Sequence, residues 1–259
     1  SGTVNTLAKY ASSIDGRNQA DRIEREQNSL IKTLREKGLI DEVLYKYSTI
    51  INAVAVKTTY ENFKKLEDES LVEKAILSET YNMPQTVSDT IENIVNVYET
   101  GIFDSSSVSY TGLKTSVAVL DSGFDCSHSV FANQPSELMI TPQDVTKVLS
   151  QTRAAGFTKD LELYDVYYSN KIPFVYDYAD KDNDVFPYDS EHGTHVAGII
   201  GGKDDVITGV AINTQLVLMK VFPDLDSGAE TTDILAALED AVLLGVDAIN
   251  MSLGSSCGF

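Results

Sequence analysis

The apolar positions divide the chain into two stretches of different rhythm. From Ser116 onward, short continuous apolar runs alternate with segments of helical period. Val117, Ala118, Val119 and Leu120 form a run of the kind that makes a strand buried on both faces. Gln215–Val221 (QLVLMKV) repeats the pattern, and Asp247–Leu253 predicts a further strand. Thr232–Leu244 sets Ile234, Leu235, Leu238, Val242 and Leu243 at helical spacing, with Thr231 or Thr232 as the expected cap and Gly245 as the stop. Strands joined in this way by crossover helices predict a doubly wound, mostly parallel α/β sheet.

Before that region the pattern is of a small α+β unit. Ile23, Gln27, Leu30 and Leu34 share one helical face, and Gly38 supplies the left-handed residue that ends such a helix. Val43–Tyr47 and Ile50–Thr58 predict two strands, Tyr60–Glu67 a short helix and Leu71–Leu77 a final strand. The order α-β-β-α-β is that of a βαββαβ ferredoxin-like unit lacking its first strand, which predicts a piece of a longer chain. Tyr81–Thr111 is polar, broken by Pro84, Gly101 and Ser105, Ser106 and Ser107, with one short helix expected around Ile91, Ile94, Val95 and Tyr98.

Two positions carry candidate chemistry. Asp121 closes the first apolar run, at the carboxyl end of its strand, where open α/β sheets form their ligand crevice; Gly123 allows a sharp exit. His192 opens a small-residue helix, Gly193-Thr194-His195-Val196-Ala197-Gly198. The positive end of a helix dipole disfavours imidazolium and keeps a histidine able to accept a proton. Gly193, Ala197 and Gly198 are expected to let the helix lie close to a neighbour. A zinc helix would space its histidines four apart with a glutamate between, whereas His192 and His195 are three apart. His195 is therefore expected to be a buried structural histidine. Asp180, Asp182 and Asp184 lack the glycine and terminal glutamate of a calcium loop and predict a solvated one. No metal and no cofactor is expected.

Charge narrows the partners. The 259 residues hold 39 acidic and 20 basic side chains, a net charge of −19, which argues against nucleic acid as a ligand. No stretch is long and apolar enough to span a membrane. Two cysteines, Cys126 and Cys257, predict no disulfide framework and are read as unpaired small apolar residues.

The segments SVAVLDSGFD (residues 116–125) and EHGTHVAGIIGG (residues 191–202), an Asp followed by a His, resemble those of the subtilisin-like serine proteases, the subtilases. VDAINMSLG (residues 246–254) resembles that family's strand and substrate-binding edge, and KIPFVYDYAD (residues 171–180) is similar to its lactocepin-type cell-envelope branch. The resemblance implies a serine endopeptidase with an Asp-His-Ser triad, in which Asp121 and His192 are catalytic and Ser227, Gly228, Ser252, Leu253 and Gly254 bind substrate. The family's nucleophile and oxyanion asparagine have no match; Ser252, Ser255 and Ser256 do not stand in for the serine. The chain is thus expected to be an amino-terminal fragment, inactive alone.

By the same resemblance, residues 1–80 are a propeptide, inhibitor and folding chaperone, carried by YSTIINAVAVKTTYENF (residues 47–63). Residues 81–111 are a linker, with the maturation site within Leu77–Ser107, and residues 112–259 are the first part of the catalytic domain. The implied partners are a peptide or protein substrate and the chain's own propeptide, outside the cell or on a bacterial cell envelope. Val130 stands where many relatives have a calcium-binding Asp, and Lys203–Thr208 is short for their calcium loop, so that site is expected to be missing. The rival reading is a catalytically inactive binding or scaffold protein on the same fold.

Overall fold

A hydroxyl starts the longest helix of the amino-terminal unit. Ser13 Oγ accepts the Gly16 N–H at the head of α2 (Ile14–Glu36), which follows a short helix α1 (Thr3–Ala11). The computed structural model describes residues 3–82, 110–151, 161–225 and 228–254. At its other end α2 closes through Gly38, at φ 65°, with Leu39 N–H donating back to Leu34 C=O. The antiparallel pair β1 (Glu42–Tyr47) and β2 (Ala53–Lys57) follows, then α3 (Tyr60–Glu67), whose first turn is capped by Thr59. Ile31, Leu34, Leu39, Ile40 and Leu66 bury the space between α2 and one face of this hairpin.

The second unit begins, after the short strand β3 (Thr80–Asn82), with β4 (Ser116–Asp121). A 3-10 turn (Ser129–Phe131), α4 (Pro142–Leu149), α5 (Leu163–Val166), β5 (Phe174–Asp177), α6 (His192–Gly201), β6 (Gln215–Lys220), β7 (Gly228–Glu230), α7 (Thr231–Leu244) and β8 (Ala248–Met251) complete the described elements. The strands β5-β6-β4-β8 form one parallel sheet in that order, with helices on both faces, the doubly wound α/β arrangement. On one face Val119, Leu216, Leu218 and Val175 pack with Ala197 of α6. On the other, Ala118, Leu120, Val217 and Met219 meet Ala236, Ala237 and Ala241 of α7. The far side of α7 receives Tyr45 and Tyr47 of β1, so the helix lies between the parallel sheet and the hairpin.

Several expectations need correction. Leu71–Leu77 is not a strand: Leu71, Ile76 and Leu77 are exposed, and no sheet edge pairs with them. The strand forms at Thr80–Asn82 instead, where Gly228–Glu230 offers free backbone groups. The second hairpin strand starts at Ala53 rather than Ile50, because the Ser48, Thr49 and Ile50 N–H groups are taken by the Glu239 carboxylate. The amino-terminal unit therefore has a two-stranded sheet among the described residues. α7 takes Glu230 as its N-cap, with no side-chain cap, since the Thr231 backbone and hydroxyl both engage Glu79. Helix α1 has no counterpart among the sequence expectations; it packs on α2 and on α7, with Ala8 buried beside Gly245. The short helix expected around Ile91 lies outside the described residues.

Gln215 ties the first turns of the sheet together. Its Oε1 accepts from the Met139 and Ile140 N–H groups, and its Nε2 donates to the Ile140 and Asn170 carbonyls, all at 2.7–2.9 Å. Gln215→Leu keeps the volume and orphans these four groups. At roughly 1–3 kcal/mol for each buried group left unpaired, partly relieved by water, a loss on the order of 3 kcal/mol is expected. The measurement is the urea unfolding midpoint, with unchanged slope.

Candidate active site

The parallel run of β4 ends on Asp121, whose side chain is fully buried. Its Oδ1 accepts the Ser122 N–H at 2.8 Å and lies 2.7 Å from His192 Nδ1. Oδ2 has no hydrogen-bond partner among the described residues, so the carboxylate's charge is shared with few donors besides the imidazole. The His192 side chain is 14% exposed, so the imidazole that meets the buried carboxylate also reaches solvent. A buried carboxylate that orients a partly exposed histidine is the arrangement for moving protons.

The strand end and the helix start are bound together by serines. Ser122 Oγ donates to Ser190 C=O and accepts the Gly193 N–H, and Ser190 Oγ accepts the His192 N–H. These hydroxyls serve N–H groups that a helix cannot satisfy within its own first turn. Gly193 is required by distance, since a Cβ there would sit 2.4 Å from the Gly123 carbonyl oxygen and 3.0 Å from Asp121 Cβ. Gly198, expected to permit close approach, has nothing within 4 Å of the Cβ it lacks. His195, expected to be buried, is exposed: the packed stripe of α6 runs through Gly193, Ala197 and Gly201, and His195, two positions from each of the first two, lies on the opposite side.

A channel lies at the same carboxyl edge of the sheet. β7, which follows β6, pairs antiparallel with Thr80–Asn82 in the register Thr80↔Glu230, Tyr81↔Ala229, Asn82↔Gly228. Beyond β8, Gly254 meets Asn82 from the other side: Asn82 N–H donates to Gly254 C=O at 2.8 Å and Gly254 N–H to Asn82 C=O at 3.1 Å. An extended segment is thus held by backbone bonds between two walls. Gly228 makes room for it, because a Cβ there would lie 2.0 Å from Thr80 Cγ2. Among the expected substrate-binding residues, Gly228 and Gly254 touch this segment. Ser252 donates to Asn250 Oδ1, Leu253 packs on the core, and Ser227 lies outside the described residues.

Sequence reasoning missed a set of buried polar residues on and beside α7. Glu239, 1% exposed, accepts N–H groups from Ser48, Thr49 and Ile50. Asp233 accepts the Tyr45 hydroxyl at 2.7 Å, and Tyr47 donates to the Thr232 carbonyl. Burial raises the Glu239 carboxyl above its ordinary range, against the backbone N–H groups, which favour the anion. Mid-helix acids read as solvated positions; the only available signal was that they interrupt a helix otherwise rich in alanine and leucine. The acidic loop after β5 also does more than face water. Asp180 accepts the Asp224 N–H, and Asp182 and Asp184 accept turn N–H groups from Asp184 and Phe186. Cys126 is a free, half-buried thiol, with burial raising it to about 12; Cys257 lies outside the described residues.

The fold and this strand-end acid with its helix-start histidine define the subtilisin-like α/β class. The Subtilase family profile matches residues 112–258, and the chain belongs to that family. It is 30% identical to the PI-type proteinase of Lactococcus lactis subsp. cremoris over 268 aligned residues, which cover 99% of this chain and 13% of that protein. It is 28% identical to a C5a peptidase of Streptococcus pyogenes over 187 residues, 69% of this chain and 15% of that protein. The chain therefore spans a small fraction of the length of these relatives, which place it with the lactocepin-type proteases. Among solved structures, the epidermin leader peptide processing serine protease of Staphylococcus aureus superposes with a TM-score of 0.53 at 20% identity, over 88% of this chain and 47% of that one.

Gly193→Ala tests the packing that seats His192. Forcing a methyl against the Gly123 carbonyl and Asp121 is expected to cost about 1–3 kcal/mol. It should also remove the downfield proton NMR signal of the imidazole Nδ1–H, which depends on the hydrogen bond to Asp121. A variant that kept both the unfolding midpoint and that resonance would contradict the packing argument.

Proposed function

We propose that this chain is the amino-terminal part of a serine endopeptidase. The observation that carries the reading is the 2.7 Å contact between Asp121 Oδ1 and His192 Nδ1 at the carboxyl edge of the sheet. In this reading Asp121 holds the Nδ1–H tautomer and stabilises the imidazolium. Nε2 takes the proton of a serine hydroxyl contributed by the rest of the protein as its oxygen attacks the peptide carbonyl. The same proton then passes to the departing amine, and water, activated in turn by His192, hydrolyses the acyl-enzyme. The names of the proteinase and peptidase relatives support proteolysis. This chain alone, without that serine, is inactive.

Residues 1–80 are, in the same reading, the inhibitory propeptide and folding partner, and residues 112–259 the start of the catalytic domain. Two contacts support this. Glu239 and Asp233 receive the hairpin on α7, and Thr80–Asn82 fills the channel as a substrate strand would, pairing with Gly228–Glu230 and Gly254. Maturation cleavage falls within Leu77–Ser107, in or beside the linker 81–111. The substrate is a peptide or protein bound as an added strand, and the site of action is extracellular or on a bacterial cell envelope.

The test uses the full-length mature protein. It should hydrolyse a peptide amide, and His192→Ala should lower kcat by about a million-fold, the loss that removal of the histidine causes in subtilisin. Residues 1–104 added as a separate polypeptide should inhibit competitively, and Glu239→Ala in the enzyme should weaken that inhibition by about a hundredfold, because three backbone donors are left without their carboxylate. Absence of hydrolysis would favour the scaffold reading, and turnover unaffected by micromolar residues 1–104 would overturn the propeptide reading.

The docking should also depend on pH. Tyr45 has one hydroxyl proton and two acceptors, Asp233 Oδ1 at 2.7 Å and the Tyr178 carbonyl at 2.8 Å. A proton on Asp233 serves both. Burial raises Asp233 from 3.8 to about 6, opposed by the Tyr45 hydrogen bond and the nearby Lys181, and aided by Glu230 and Asp180. A group whose docked value lies above its free value takes up a proton on docking, so its contribution is complete below the free value and lost as pH rises through about 6. Inhibition by residues 1–104 should therefore tighten about tenfold from pH 7 to pH 5, and Asp233→Asn should flatten the profile.

A further inference from the structure

The ends of three neighbouring strands carry Asp177, Lys220 and Asp121 in register, on β5, β6 and β4. Asp121 belongs to the pair with His192; the other two belong to a separate cluster. Lys220 Nζ, on a side chain 1% exposed, donates to Asp177 Oδ2 and Asp224 Oδ1 at 2.5 Å each and lies 3.5 Å from Asp180 Oδ2. The three carboxylates converge to within 4.8 Å of one another, and the ammonium supplies the positive charge at their centre. Burial works against the charged amine, but the hydrogen bonds to Asp177 and Asp224 outweigh it and hold the ammonium more firmly protonated than in water.

The cluster gathers two loops. Asp180 lies in the loop that leaves β5 and Asp224 in the loop that leaves β6, and the two are also joined by the Asp224 N–H on Asp180 Oδ2 at 2.9 Å. Asp177 Oδ1 meanwhile accepts the Ala179 and Asp180 N–H groups, so the first loop is fixed at its root. The second loop leads directly to Gly228, four positions past Asp224, where β7 begins. β7 has only three residues and pairs with another strand of three, which is too short to hold its own position. Its place is set by what anchors its two ends: α7 on one side and Asp224 on the other.

We propose that Lys220 is a positioning residue for peptide binding: clamped by Asp177, Asp180 and Asp224, it fixes Asp224 on the chain that leads from β6 toward β7 and thereby one wall of the channel. The proposal rests on the reading of the channel as the place of the substrate. It separates binding from chemistry, because the Asp121 and His192 side chains are held by one another and by Ser122 and Ser190; Asp121 neighbours Lys220 through the strand backbone, where its C=O accepts the Val221 N–H, and its carboxylate accepts from His192 and Ser122 instead. Loss of the ammonium leaves three carboxylates facing one another, and repulsion drives Asp224, the most exposed of the three, toward water.

Two measurements test it. In this chain, amide hydrogen exchange of Lys220→Met should lose at least tenfold protection in residues 79–82 and 228–231, while residues 42–57 change less than twofold. In the full-length protein, Lys220→Met should raise KM about tenfold for a peptide amide long enough to pair with β7, with kcat within twofold, and leave a single-residue ester substrate unchanged. If Lys220→Met does not fold, Asp224→Asn, which removes one partner and keeps Lys220 paired with Asp177, decides by the same split at about threefold. Uniform loss of protection across the sheet, an equal fall in kcat for long and short substrates, or no change in either assay would overturn the proposal. Should the wild-type full-length protein hydrolyse nothing, the peptidase reading falls, and the exchange measurement still judges the clamp.

Discussion

The burial of α7 between two sheets is the constraint on which the rest of the molecule depends. Ala236, Ala237 and Ala241 are fully buried, and their small side chains let the helix lie close to the parallel sheet. The opposite side is covered by Tyr45 and Tyr47 of the hairpin. A helix enclosed in this way cannot leave its polar side chains to water. Asp233, Glu239 and Asp240 must all find protein donors, and they do: Tyr45, the Ser48–Ile50 turn and the Tyr178 hydroxyl. Because those donors come from both units, the hairpin, the helix and the end of β5 are fixed relative to one another by unsatisfied valence as much as by apolar contact.

This coupling passes from α7 to the channel. α7 begins at Thr231, directly after β7, so whatever seats the helix also seats one channel wall. The other wall follows β8, which pairs with β4, the strand that ends on Asp121. Candidate chemistry and candidate binding surface are therefore produced by the same geometric fact, that parallel strands release their chains at one edge. The glycines at Gly193 and Gly228 are the places where this crowding leaves no room for a side chain.

The sequence made the parallel sheet legible because its strands are buried on both faces. Val117–Leu120 and Gln215–Val221 can hardly be anything else, and Asp121 and His192 are conspicuous because each abuts such an element. What stayed hidden depended on tertiary partners. Nothing local distinguishes Glu239 from a solvated helix acid until a turn 189–191 residues earlier in the chain brings three N–H groups to it. Lys220, the last residue of an apolar strand, reads as a strand end returning to water, yet it is buried among three acids, one at the end of β5 and two from the loops beyond β5 and β6. Leu71–Leu77 shows the converse: strand-like composition forms no strand where no edge is free, whereas the less apolar Thr80–Asn82 becomes one because Gly228–Glu230 and Gly254 offer partners.

The way the two units meet also bears on how tightly they hold. A carboxylate buried against backbone N–H groups gains strong hydrogen bonds and loses its hydration, and the two nearly cancel. Glu239 shows both sides, since it accepts three donors and still has its carboxyl raised by burial. Measured against an apolar pair of the same shape, such a contact adds little net affinity, but it imposes a severe penalty on any arrangement that buries Glu239 without the turn or the turn without Glu239. It acts on register more than on strength. It also recognises the main chain, not a side chain, so the turn at Ser48–Ile50 can vary in sequence while the fit is preserved. The bulk of the holding energy then falls to Tyr45, Tyr47 and Ala55 on α7, whose removal from water has no comparable opposing cost. Apolar burial binds the units and the acids determine where.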